Sequence, residues 1–264
     1  MNEFLFYIVI LLANIIQGIT GFAGTILAMP FSLKLAGMDV AVPVLNFLGI
    51  ASGVYVLAGN YRHVDRRELL RVIAVMEPAV IIGLLARRFL SGSPRLLYCV
   101  LGAIVLALAV SGLWGLLRKE KAETQSSGPD NAAPQSTDAA SGRALSGAAA
   151  LDIATLAASG LVHGLFVCGG PLLIGYLSKR IKDKAAFRAT ISAVWILLNG
   201  TIFVSQLISG AWNTGLIKVQ LISLPFMAAG MFAGSLLYKR LSQRTFMLIT
   251  YVLLFIAGLT LFFK

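Results

Sequence analysis

Apolar residues run along this chain in long blocks broken by short polar turns, without the alternation of a half-buried strand. A block of about 20 residues suffices to cross roughly 30 Å of hydrocarbon. The pattern predicts eight, at 4–29, 40–59, 69–89, 96–117, 151–175, 185–208, 216–238 and 246–263. The expected fold is therefore all-α and polytopic, with about eight transmembrane helices. The first and fifth blocks are long and interrupted by glycine. Gly18, Gly21 and Gly24 precede Pro30 in one; Gly160, Gly164, Gly169, Gly170 and Gly175 surround Pro171 in the other. Backbone released from helical hydrogen bonds is tolerated in hydrocarbon only where protein or a water-filled cavity surrounds it. Each stretch is thus expected to be a tilted span or two half-helices, and to mark a site.

Between the fourth and fifth blocks, residues 118–147 are rich in Ser, Ala, Pro and Gly with balanced charge, and read as a disordered linker. Cutting there gives two four-helix halves, 1–117 and 148–264, that resemble each other. Gly18 aligns with Gly164 and Gly24 with Gly170, while Arg71, Pro78 and Gly83 align with Lys218, Pro225 and Gly230. An old internal duplication accounts for this. Four full spans per half would relate the halves by an axis along the membrane normal, whereas a re-entrant broken helix would change that parity. With eight spans the basic residues divide 12 to 10 between the two sides. That split barely favours placing both termini outside.

Composition confirms the environment: 58% of residues are hydrophobic, 12% are charged and mean hydropathy is +0.86. The formal charge of +11 sits in clusters between apolar runs, which fits cytoplasmic loops and excludes a nucleic-acid-binding face. Cys99 and Cys168 both lie in apolar blocks and suggest neither a disulfide framework nor a metal pair. The first block outlasts a signal-peptide core and is read as retained. No phosphate-binding loop, zinc-protease helix or nucleophile elbow is present. The chain is expected not to be an enzyme and to need no cofactor or metal.

The chemistry then rests on the two breaks. A half-helix beginning near Gly24 or Gly170 leaves several N–H groups unpaired behind a partial positive charge, which suits an anion, and glycine lets the ligand approach the backbone. The competing reading is close helix packing, preferred for Gly160-xxx-Gly164, Gly230-xxx-Gly234 and Gly49-xxx-Gly53. The substrate-binding candidates are Gln17, Gly18, Gly21, Gly24, Asn46, His163, Gly169, Gly170 and Thr190. Thr20, Thr25, Ser192 and Asn199 lie near the same depth. Glu77, beside Pro78, is the one acid near the middle of a block; with His163 it is a candidate for proton coupling, against the alternative that both are satisfied structurally.

These pieces resemble the sulfite exporter TauE/SafE family, also called the toluene sulfonate uptake permease family. The matching residues are Gly18-x-x-Gly21-Phe22-Ala23-Gly24 with Pro30, and Gly164 through Cys168-Gly169-Gly170-Pro171 with the basic turn and Ala189-Thr190-Ile191-Ser192. Ala23 and Cys168 stand where the family commonly has glycine, and Asn46 where Thr is frequent, which narrows the space for a ligand. The resemblance implies a carrier of the bacterial inner membrane that moves sulfur-containing oxyanions or organosulfonates, most simply outward. Its expected partners are a small anion, the lipid bilayer and a coupling proton, with a homo-oligomer left open. The rival reading is a non-transporting membrane scaffold or assembly partner that uses its GxxxG faces and basic loops.

Overall fold

The computed structural model describes residues 3–20, 24–90, 94–125, 141–237 and five isolated positions between 251 and 259. Among the described residues all regular structure is helical. The helices are α1 (Glu3–Thr20), α2 (Gly24–Ala36), α3 (Met38–Ala58), α4 (Arg66–Leu90), α5 (Pro94–Gln125), α6 (Ser141–Phe166), α7 (Gly170–Arg180), α8 (Lys184–Ile208) and α9 (Thr214–Leu237). Five of these contain a segment long and apolar enough to cross a membrane: α3, α4, α6, α8 and α9. Their outward faces carry large apolar side chains such as Leu70, Phe232 and Leu236. In water such a surface would aggregate; in lipid it is the expected solvent.

Local chemistry sets the helix boundaries. Gly37, at φ 77°, supplies the left-handed turn between α2 and α3. Asp183 caps α8 by accepting from Ala186 N at 2.8 Å, and Asp65 accepts from the N–H groups of Arg67 and Glu68, each at 3.0 Å, at the start of α4. α6 ends at Phe166, and the next residue, Val167, has a φ of 56° that is rare for a β-branched residue and costs roughly 1–2 kcal/mol.

Contacts between helices fix their directions. α4 runs alongside α6 in the same sense: a Cβ at Gly160 would lie 2.6 Å from Met76 O, and one at Gly83 would lie 2.5 Å from Leu161 O. α1 and α9 are likewise parallel, since Gly230 faces Leu11 O at 2.5 Å and Gly18 faces Met231 O at 2.6 Å. In both crossings small residues four apart let two backbones touch, as the packing reading of GxxxG expects. The third pair, Gly49 and Gly53, lets antiparallel α3 and α8 meet around Asn199 and Ile196.

Neither glycine-broken stretch runs on through the bundle. Arg180, at the end of α7, hydrogen-bonds Asp152, in the middle of α6, at 2.6 Å. The 14 residues from Asp152 to Phe166 rise about 21 Å, so α7 must return towards the end where α6 began. Gly24 lies against Ala13 and Gln17, and Ala28 shares a cavity wall with Leu45 and Leu48 of α3. α2 therefore doubles back beside α1, and both termini of that hairpin lie at one end of the bundle, here the first end. The α6–α7 hairpin opens at the opposite end, the linker end. Of the two forms expected for each broken stretch, a tilted span or two half-helices, the helices here take the second, and the two hairpins enter from opposite ends and meet tip to tip. The eighth predicted block, 246–263, lies largely outside the described residues, and residues 21–23, with the predicted Gly21, lie outside them altogether.

Candidate functional site

Where the hairpin tips meet, the bundle holds two small adjoining cavities of about 20 and 10 Å³. The larger is lined by Gln17, Thr25, Ile26, Gly49, His163, Val167, Cys168, Gly170, Trp195 and Asn199. The smaller shares Gln17, Thr25 and Gly49 and adds Asn14, Gly24, Ala28, Leu45, Leu48 and Ser52. No lysine or arginine lines either one. Each holds about one water, so the site is closed around less space than a four-atom oxyanion fills.

The side chains in these walls follow one plan used twice. The spacing that aligns Gly18 with Gly164 also aligns Gln17 with His163, and both face the break that follows them. Gln17 Oε1 accepts from Gly24 N at 2.8 Å, while its Nε2 donates to Ser52 Oγ on α3 at 2.6 Å. His163 Nδ1 accepts from Gly169 N at 3.4 Å, and its Nε2 lies 3.0 Å from Asn199 Oδ1 on α8. With Nδ1 accepting, Nε2 carries the proton and donates to Asn199, so the ring is neutral. In each half a side chain of the long helix thus supplies an acceptor to the start of the short one. Ser159 Oγ completes the second break by donating to Gly169 O at 2.6 Å. The Trp195 ring, tilted over His163 at 4.9 Å, walls one side.

Electrostatics follow from the same geometry. Each half-helix presents its amino end to the bundle interior with a partial charge of roughly +0.5. A Cβ on Gly170 would lie 2.7 Å from Ile26 Cδ1, so the two amino ends are close neighbours. Two like ends facing each other in a low-dielectric interior favour an anion between them.

Not every predicted residue reaches this centre. Gln17, Gly24, His163 and Gly170 line it. Asn46 lies behind it, donating to Asn199 O at 3.0 Å. Gly169 is packed against Ser159 O, and Gly18 sits in the α1–α9 crossing. Thr190 accepts from Asp65 N at 2.9 Å, near the linker end and away from the cavities. Glu77 bonds Thr201 on α8, and its second oxygen is buried without a hydrogen-bond partner among the described residues. Gly21 and the side chain of Thr20 lie outside the described residues. Ser52, Ser159 and Trp195 were not among the candidates. Trp195 lies one helical turn before Asn199 on α8, so the spacing of four was its only signal.

An all-helical bundle with apolar outer faces and a buried polar centre between opposed half-helices defines a multi-pass membrane protein built around an internal site. The family model described as Sulfite exporter TauE/SafE matches residues 6–261, nearly the whole chain. The chain belongs to that family, which is a family of membrane transporters. Comparison with curated proteins and with solved structures finds no match.

Proposed function

We propose that the protein is a secondary transporter for small sulfur-containing anions, sulfite or organosulfonates, that binds them between the tips of the α1–α2 and α6–α7 hairpins. The observation that carries this reading is the meeting of two half-helix amino ends in a buried polar centre without a fixed cation. Gln17 Oε1 and His163 Nδ1 act as placeholders there: an arriving oxyanion takes over the N–H groups they now occupy, and their own donors then turn to it. The amides of Gln17 and Asn199 and the hydroxyls of Thr25 and Ser52 supply further donors. A scaffold would need none of this.

The two hairpins with their matched polar pairs support an inverted duplication of residues 1–117 and 148–264 around the linker. In that arrangement each half crosses the membrane three times and contributes one re-entrant hairpin. The basic residues then sort differently from the eight-span reading. Among the described residues, four at 62–71, four within 118–147 and five at 179–188 fall at the linker end, 13 against 5 at the first end. Positive loops stay in the cytoplasm, so the linker end faces the cytoplasm of a bacterial inner membrane and the first end faces outward. An inside-negative potential favours anion export by about 2.3 kcal/mol per charge per 100 mV.

The closed cavities imply that one hairpin moves to admit substrate, so access alternates between the two ends. Glu77 and His163 are the groups able to carry a coupled proton. Sulfite flux in proteoliposomes, compared between the native protein and Gly170→Leu, tests the assignment. The Cβ of the leucine would meet Ile26 Cδ1 at 2.7 Å and its branch would more than fill the cavity of about 20 Å³, so loss of flux is expected, with thermal unfolding checking that the variant is folded; undiminished flux would place the site elsewhere.

A further inference from the structure

We propose that the side chains closing the linker end of the α6–α7 hairpin form a latch whose release opens the cavity to the cytoplasm. The inference rests on the reading of that cavity as the transport site. Tyr176 of α7 donates to Glu68 Oε2 at 3.0 Å, and Arg71 donates to Glu68 Oε1. Arg180 lies 3.7 Å from that same oxygen and donates to Asp152 Oδ2 at 2.6 Å. Its guanidinium also covers the Tyr176 ring, 4.9 Å from the centroid. These contacts tie the far end of α7 to the start of α4 and to the middle of α6.

The network is built unevenly. Glu68 is 8% exposed and accepts from both Tyr176 and Arg71, whereas the Arg180 side chain is 36% exposed and within reach of solvent. Partly hydrated ion pairs separate readily, while a buried carboxylate re-forms its contacts when they are offered again. α7 is 11 residues long and its other end, Gly170, is cavity wall. Releasing Arg180 and Tyr176 therefore frees a short rigid lever that reaches the site. It turns about residues 167–169, where Val167 is already held at positive φ. The α1–α2 hairpin has no matching device: among the described residues no ion pair holds Lys34, the basic residue of its last turn.

Cys168, 4% exposed in the cavity wall, reports on this movement, and Cys99 is the only other cysteine. In a Cys99→Ser background, the rate of Cys168 modification by a charged, membrane-impermeant methanethiosulfonate is measured from each face in oriented vesicles. Arg180→Gln and Tyr176→Phe are expected to raise the rate at least tenfold from the linker face only. Arg180→Lys, which keeps a cation beside both Asp152 and Glu68, is expected to hold the rate near the parent's. Unchanged rates in both variants, or equal increases from both faces, would overturn the latch. Tyr176→Phe removes one hydroxyl and keeps the test valid if the charge variant does not fold. Protection of Cys168 by an organosulfonate, which does not attack the thiosulfonate reagent as sulfite would, is scored separately: latch-dependent labelling without protection would sink the substrate reading and leave the latch standing.

Discussion

Glycine does two different jobs in this chain, and the neighbours that a Cβ would meet separate them. At Gly164 and Gly234 an added methyl runs into the backbone carbonyls of Val80 and Ile15, which cannot yield without parting two helices. Gly164→Ala is expected to cost about 1–3 kcal/mol of stability, read as a lower midpoint in thermal unfolding in detergent. Gly170→Ala meets only the tip of Ile26 and should unfold within a degree or two of the parent. If the two variants were equally stable, the assignment of packing and site glycines would be wrong. The polar pairs allow a similar argument. Asn199→Ala removes the partner of His163 and leaves a buried donor unsatisfied, at about 1–3 kcal/mol. Replacing both Glu77 and His163 with Gln is expected to abolish any proton dependence of flux; coupled flux in that double variant would exclude them as carriers.

At the scale of elements, the sequence made the two breaks visible because glycine pairs and Pro171 have no place in an uninterrupted apolar helix. It also paired them, through the spacing of Gly18 with Gly164 and Gly24 with Gly170. Direction was not legible. A broken helix that continues and one that doubles back have the same composition; only the Arg180–Asp152 and Gly24–Ala13 contacts distinguish them. Site membership was half legible for the same reason: Gln17, Gly24, His163 and Gly170 flank the breaks, whereas Ser52 and Trp195 reach the centre from α3 and α8 through tertiary packing. Thr190 looked equivalent in sequence but lies about two and a half turns along α8 from Asn199, too far towards the linker end. The hairpins make a prediction at this scale. A reporter inserted in the 118–147 linker should behave as cytoplasmic and one fused after Lys264 as external, whereas eight full spans would place both on the same side.

For the whole molecule, the proposed three-span halves turn a nearly even distribution of basic residues into a polarised one, and on that reading the proposed latch faces the cytoplasm. Anions gathered by a positive inner surface would meet a gate held by exposed guanidinium contacts, then a centre whose attraction comes from helix ends instead of a fixed cation. A dipolar site binds less tightly than a buried lysine would and releases its cargo more readily, which suits a carrier. The measurement that tests this account most directly is thermal stability of the purified protein against sulfite, sulfonates, sulfate, phosphate and carboxylates, because a ligand that binds only the folded state raises stability with concentration. Selective stabilisation by a sulfur oxyanion, present in the native protein and absent in Gly170→Leu, is the predicted result; no response to any anion, or an equal response in Gly170→Leu, would contradict it.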